Sequence, residues 1–557
     1  MMKSVALLVL ASGLLASTLA AQTPAPAGGF DWVALVDPVS GGRALAFSPD
    51  GRLFYSEAGT RTIKFIENPT TTPGAPQTLI TLTEAELPAG NDAAVHGITF
   101  HPNFPASTVD PNNRFIYVVY TVRPGGTGPF QYVVREIEEV AGVGTLSSGS
   151  IVPAFTHSTN GQNFGGRIVT APDGTLVMGS GDGGDQAAIA GLLAQNVSDR
   201  RGKILRYQTD GNIPLNNPLT GNPVYALGLS NPRGLAYNPT TNELFSVDRG
   251  LPDVPGTGTP DELNVILPGA NYGWDANGTS GTQSNAAYTN PGFEFPPTFD
   301  AGGICFFPSG IGTATGFPTD GYRNGVVYVA RERTSGSIAF PFFPSQTGGM
   351  VVRVILSGGL ERNGVAMMPV VTNLSSAVRD IKFGPDGNLY VLTDSVLYRI
   401  FYDPTPGNNA PIAHAGIAQT VNEGALVTLS AAASSDADLD SLTYVWRQVG
   451  GSSVVTINNA ASISPTFTAP QVSFSQNYTF EVLVDDGRGG VDSALVQITV
   501  NNVSSPGGGN KKAPTEAQGE GGCSTDSGPV PAMMLLLGAA MALLIGLRLR
   551  SARIGKA

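Results

Sequence analysis

Four histidines, His96, His101, His157 and His414, are the chain's whole supply of side chains that titrate near neutrality unaided. Proton abstraction therefore falls to one of them or to a carboxylate shifted by its surroundings. The stretch "HSTNGQNFGGRIVTAPDGTLVMGSGDGGD" gathers the most candidates: His157, Asn163, and then Asp182 and Asp185 in a glycine-rich loop. Both aspartates suit an acid or a ligand, while Gly-Asp loops also serve simply as turns. Asn163 can orient a hydroxyl but cannot take its proton, because an amide is neutral. Near the other end, Asp436, Asp438 and Asp440 alternate, offering calcium its preferred oxygen ligands or forming a solvated acidic loop.

These groups need a scaffold, and the scaffold is written as a repeat. A Pro-Asp-Gly turn followed by an apolar strand appears in "FSPDGRLFYSE" from Phe47, "TAPDGTLVMGSGD" from Thr170 and "FGPDGNLYVLTD" from Phe383. Looser copies are "FHPNFPASTVDPNNRFIYVVYT" from Phe100 and "YNPTTNELFSVDRG" from Tyr237. The shared prolines 49, 102, 172, 239 and 385 are separated by 53, 70, 67 and 146 residues, so the last gap hides one more copy. "GYRNGVVYVARE", from Gly321, fits it. Six turn-plus-strand units predict a six-bladed β-propeller in which no blade stands alone.

From Ala410 to about Val503 the rhythm shortens. "SSDADLDSLTYVW" and "VDDGRGGVDSA", with one buried-type Trp446, predict an immunoglobulin-like β-sandwich, and they resemble bacterial PKD-type domains. Residues 504–529 are Gly, Pro and polar, a flexible stalk. The ends read as addresses. Residues 1–21 have the layout of a secretory signal, cut after Ala20 or Ala21. Residues 530–547 are an uncharged run just long enough for a transmembrane helix, with a basic cytoplasmic tail at 548–557. "GEGGCSTDSG" before that run resembles bacterial C-terminal sorting signals, which places Cys523 at a processing site; a plain anchor is the alternative. The body is expected to be exported, at the cell surface or in the periplasm. Without Lys3 and the four tail cations, 26 of the 31 basic residues face 43 acidic ones, an excess of 17 negative charges that excludes nucleic acid as a partner. Cys305 and Cys523 lie in contexts too different for a disulfide.

Residues 30–403 resemble the glucose/sorbosone dehydrogenase family of soluble quinoprotein propellers. The phrases that carry the likeness are "NFGGRIVTAPDGTLVMGSGDGGD", "RRGKILRYQTDGNIPLNNPLTG", "VYALGLSNPRGLAYNP", "DELNVILPGANYGW" and "VRDIKFGPDGNLYVLTD", in the family's order. The resemblance implies pyrroloquinoline quinone (PQQ) and calcium on the top face of the propeller, and oxidation of an aldose. It puts the family's catalytic histidine at Asn163 and its quinone-binding arginine at Ser230. Asn231 and Arg379 match cofactor-contacting positions, and Asp92 stands where a polar site residue is found. The family's calcium loop keeps Gly250, through its carbonyl, and Asp261 and Glu262, although an Asp-Glu beside a strand is as often a surface pair. The family's cofactor-facing lysine has no clear counterpart near Arg331, Glu332 and Arg333.

His96 and His157 are the candidates for a relocated base, with a structural histidine the alternative for each; His101 belongs to a turn and His414 to the second domain. The sequence thus predicts an all-β protein and a PQQ- and calcium-dependent sugar dehydrogenase. A catalytically silent propeller holding a surface polysaccharide or a protein is the competing expectation.

Overall fold

Alternating strands of Val, Ile, Phe and Tyr punctuated by left-handed turns fold as antiparallel meanders. The computed structural model describes residues 25–26 and 30–503, except 84–94, 107–111, 127, 159–162, 185–192, 251–259, 275–286, 297–298, 312–316, 318–322, 324, 336, 341–342, 358–362, 403–407, 454 and 489. The signal, stalk, Cys523 and anchor expectations lie outside the described residues. Among those described, no helix is long and apolar enough to cross a membrane.

Six sheets radiate from one axis. Their innermost strands are Gly42–Phe47, Val95–Phe100, Gly165–Thr170, Pro232–Tyr237, Ala301–Phe306 and Val378–Phe383, taken as blades 1 to 6. The N-terminal strand Phe30–Val36 pairs with Leu397–Tyr402 and forms the outer edge of blade 6, so both ends of the ring close in one sheet. Each turn into a blade's second strand needs a left-handed residue. Gly51 (φ 86°), Gly174 (83°) and Gly387 (73°) supply it in the Pro-Asp-Gly copies, Gly325 (62°) in the hidden one. Asn113 (54°) and Asn242 (57°) do so in the looser copies.

Six apolar clusters hold the blades together, one in each gap between neighbours. Phe54, Phe65 and Val118 join blades 1 and 2, and Tyr55, Tyr390 and Leu392 join blades 6 and 1. The other four clusters fill the remaining gaps. Every blade therefore buries both faces only when its neighbours are present.

The same irregularity recurs in all six blades. The ladder between first and second strands slips after Gly42, Val95, Gly165, Pro232, Ala301 and Val378. A bulge re-aims the side chains beside it. Arg43, His96, Arg167, Arg233 and Arg379 come from five of these bulges and, with Glu332, surround a water-sized cavity of about 20 Å³. Arg167 crosses this channel. Its guanidinium donates to the carbonyls of Arg233 (2.9 Å), Arg43 (2.9 Å), His96 (2.8 Å) and Arg379, and lies 3.2 Å from Asp380. One side chain of blade 3 thus binds the backbones of blades 1, 2, 4 and 6.

Residues 412–501 form the sandwich. A four-stranded sheet in the order Gln419–Asn422, Val491–Asn501, Gln476–Asp485, Thr443–Gly450 packs on the pair Leu426–Thr428 and Thr466–Thr468. Trp446, Phe467, Tyr478 and Phe480 fill the core. Cys305, on the innermost strand of blade 5, is a buried free thiol whose pKa burial pushes up to about 12.

Replacing Arg167 with leucine strips a charged donor from four carbonyls and removes a partner of Asp380. A loss of about 3–5 kcal/mol is expected. The thermal midpoint should fall by roughly 5–15 °C, with only partial recovery in Arg167→Lys, which keeps the charge but not the fork. Calorimetry of the purified chain checks this.

Candidate active site

Where the bulges open at one end of the channel, arginines and carboxylates interlock. Glu332 sits just past the second strand of blade 5 (Val326–Arg331) and is buried. Its oxygens accept from Arg233 Nη2 at 2.5 and 2.6 Å and from Arg379 Nη1 at 2.9 Å, with Arg249 Nη1 at 3.9 Å. Burial alone would raise its pKa, but Arg233, Arg379 and Arg249 prevail and hold it at about 2. Asp394 takes Arg379 through Nε (2.9 Å) and Nη2 (2.8 Å), and also Arg43. Asp300 takes Arg249 (2.6 Å) and Arg333 (2.8 Å). Beside this lattice opens a polar cleft of about 710 Å³, walled by Asp300, Glu332, Arg333, Ser376, Arg379 and Asp394. Among the described residues five guanidiniums, of Arg43, Arg233, Arg249, Arg333 and Arg379, meet three carboxylates in this lattice, and Arg333 and Arg379 carry it to the wall of the cleft.

A second polar layer lies under Asn163. That residue has φ 48°, a conformation asparagine tolerates better than most. Its amide donates to Asp182 Oδ1 at 2.9 Å, and its oxygen accepts from Asn231 Nδ2 at 3.2 Å. Asp182 also accepts from the Gly184 amide (2.9 Å) and the Ser230 hydroxyl (3.3 Å). Burial raises the Asp182 pKa against these bonds. The backbone amides of Ser230 and Asn231 both point at Asp248, at 2.9 and 2.6 Å, and Asn231 Oδ1 in turn holds the Gly165 amide at 3.0 Å. Burial, reinforced by Glu262, pushes the Asp248 carboxyl well above its usual range.

Of the sequence-predicted residues, Asn163, Ser230 and Asn231 therefore form one hydrogen-bonded layer, and Arg379 belongs to the lattice. His96 lines the channel beside Arg43, Arg167 and Arg233, partly buried, with its Nε2 enclosed and without a hydrogen-bond partner among the described residues. Desolvation and the arginines drive its pKa well down, so it is a neutral imidazole. His157 is placed elsewhere. It is enclosed by Tyr132 (5.3 Å), Phe155 (6.4 Å) and Phe164 (5.2 Å), with no exposed surface, and burial lowers its pKa to about 3. Aromatic packing encloses this ring behind Phe164, and it lines neither the channel nor the cleft. Asp92 and Asp185 lie outside the described residues.

Gly250 and Asp261 do meet, but through a hydrogen bond. Asp261 Oδ1 accepts from the Gly250 amide at 3.0 Å and Oδ2 from the Ala301 amide at 2.7 Å, and burial raises its pKa to about 6. Glu262 starts the neighbouring strand opposite Asp248 and accepts from Asn264 Nδ2 at 3.0 Å. Asp261 and Glu262 thus turn to different partners and do not converge, so these described residues do not fit calcium. Asp248, Asp300 and Asp394 are site residues that sequence reasoning missed. The signal was present: in five of six blades the second strand ends on or just before an acid, Glu57, Asp182, Asp248, Glu332 and Asp394.

The fold and mouth together define a sugar-dehydrogenase-type propeller joined to a β-sandwich. Residues 40–400 match the Glucose / Sorbosone dehydrogenase family and residues 415–500 match a PKD-domain family, so the chain belongs to the former and carries a domain of the latter. An uncharacterised Synechocystis protein, slr1608, is 27% identical over 65% of this chain and 83% of its own length. Quinoprotein glucose dehydrogenase B of Acinetobacter calcoaceticus is 29% identical over 47% of this chain, and the match spans only 55% of that relative. A solved structure from Thermus thermophilus, described as an oxidoreductase (glucose dehydrogenase), aligns with TM-score 0.53 at 27% identity, covering 67% of this chain and all of that one.

The depressed Glu332 pKa contributes stability that is full above the ordinary glutamate value near 4.5 and is lost as pH falls towards about 2. Glu332→Gln should cost about 3 kcal/mol at pH 7. It should also flatten the fall in thermal midpoint between pH 4.5 and 2, measured by pH-resolved calorimetry.

Proposed function

We propose that the propeller is a PQQ-dependent aldose dehydrogenase whose cleft, between Arg333, Arg379 and the Glu332 carboxylate, holds the quinone. The observation that carries this reading is a polar cleft of about 710 Å³ lined by the forked guanidiniums of Arg333 and Arg379, which carboxylates of the adjoining lattice hold in place. PQQ is a planar tricarboxylate, and forked guanidiniums are the donors that suit it. When bound it would supply an electrophilic quinone that accepts a hydride. The chain's own residues do the rest: Arg379 and Arg333 bind carboxylates, and Glu332 and Asp394 hold the guanidiniums in place. Asn231 fixes the Asn163 amide, which orients rather than abstracts. Asp182, raised by burial, is the carboxylate beside that position and the side chain there able to hold a proton. Export of the body and a C-terminal membrane anchor belong to this reading as well, each resting on the sequence.

A second reading has its own support. Both polar atoms of Asn163 are already engaged by Asp182 and Asn231, and Ser230 is buried against Asp182 and Asp248. A silent propeller that binds a surface carbohydrate or a protein would look the same there.

Titration of PQQ into the full-length chain, followed by dye reduction with an aldose panel, separates the two. Saturable PQQ binding, weakened at least tenfold in Arg379→Ala, is expected for the dehydrogenase. In Asn163→His, the imidazole beside Asp182 should raise kcat by about 10²-fold. Absence of PQQ binding by both proteins overturns the enzyme reading.

A further inference from the structure

Away from the propeller mouth, one cluster keeps oxygens that the described chain leaves unsatisfied. Carboxylate oxygens of Asp436, Asp440 and Asp486 lie within 4.8 Å of one another. Asp436 is 8% exposed and Asp486 4%, while the Asp440 side chain is 9% exposed. Asp436 Oδ1 accepts from the amides of Asp438 (2.8 Å) and Asp440 (3.1 Å), but its Oδ2 is buried with no partner among the described residues. Asp440 Oδ1 meets Arg488 Nε at 3.0 Å, and its Oδ2 is buried and unpartnered. Asp486 Oδ1 accepts from the amides of Arg488 (2.7 Å) and Gly490 (2.9 Å). Its Oδ2 takes the Nδ2 of Asn408 at 2.7 Å, which leaves Asn408 Oδ1 buried without a partner.

Three orphaned acceptors beside a carboxylate need a donor or a cation. Water would satisfy the lone pairs but not the charge. Three carboxylates face one guanidinium whose side chain is 58% exposed, so two negative charges remain. A divalent cation answers both needs. The donor set is all oxygen, without His or Cys, and comes from three separate segments, which suits calcium over zinc or magnesium. We infer that Asn408, Asp436, Asp440 and Asp486 form a calcium site that fastens the segment leaving the propeller to the end of the sandwich.

The architecture around the cluster is built for such a clamp. Asn408 lies six residues beyond the last propeller strand, Leu397–Tyr402. Ile412 and Ser435, just before Asp436, exchange backbone hydrogen bonds of 2.7 and 3.0 Å. The turn bearing Asp486 closes on Gly490, where a Cβ would lie 2.1 Å from Asp486 Oδ2 and 2.7 Å from the Ala410 Cα. The alternation Asp436, Asp438, Asp440 suggested a different set. Asp438 instead turns to Asn409, accepting its amide at 2.6 Å and its side chain at 3.0 Å, and Asp486 takes its place. The loop is not an extended strand, so alternate residues do not share a face.

The test uses the full-length chain, stripped with EDTA and titrated with calcium by calorimetry. A saturable site is expected, together with an upward shift of the sandwich unfolding transition as calcium rises. Asp440→Asn keeps the side-chain shape while removing a charge, and should weaken that site by roughly tenfold or more. Asn408→Ala should weaken it too, whereas Asp438→Asn should not. Magnesium at equal concentration should leave the transition in place. Wild-type calcium affinity in both Asp440→Asn and Asn408→Ala, each folded by circular dichroism, would overturn the inference. If Asp440→Asn does not fold, Asn408→Ala carries the decision. None of these outcomes depends on the quinone or on any cation bound by the propeller.

Discussion

The inner strands of a propeller converge until their bulged ends present backbone carbonyls to a shared axis, and those carbonyls have no ladder partner there. Arg167 resolves this for four blades at once. A planar fork with several donors can serve convergent acceptors that no single hydroxyl or ammonium could span. That solution shapes the rest of the mouth. A guanidinium on the axis, with Arg43, Arg233 and Arg379 from neighbouring bulges, concentrates positive charge in a poorly solvated place. Such a concentration is tolerable only with carboxylates beside it, which is the part played by the buried Glu332 and Asp380 and the partly exposed Asp394. The arginine-rich channel is therefore a consequence of how the ring is closed, and Arg379 and Glu332 line both it and the cleft.

Much of this was legible before any coordinates. Pro-Asp-Gly marks a turn because only glycine takes the required φ without cost, and the two looser copies remained readable once asparagine was allowed in the same slot. Blade 5 stayed half hidden because its inner strand, Ala301–Phe306, is followed by a long connection rather than a short turn. The acids at the strand ends were visible as letters, but not as partners of arginines from other blades, since Asp394 meets an Arg43 that is 351 residues away. His157 shows the opposite failure. Its closeness to Asn163 in sequence suggested a shared site, while its ring is enclosed by Phe155, Phe164 and Tyr132, the last brought alongside only by strand pairing in blade 2.

Asn163 bears on the chemistry in a way that the fold does not resolve by itself. Asparagine can donate to Asp182 and accept from Asn231, so it leaves no buried polar atom of that layer orphaned. A residue that satisfies the layer without titrating preserves the scaffold and removes the proton acceptor in one step. The arginines proposed to receive the quinone are untouched by the same change, because they lie on different residues, in blades 5 and 6. Binding and proton transfer are physically separable here. A chain of this design can lose one and keep the other, and the geometry that would orient an imidazole at position 163, the Asp182 carboxylate 2.9 Å from the side chain, is still in place.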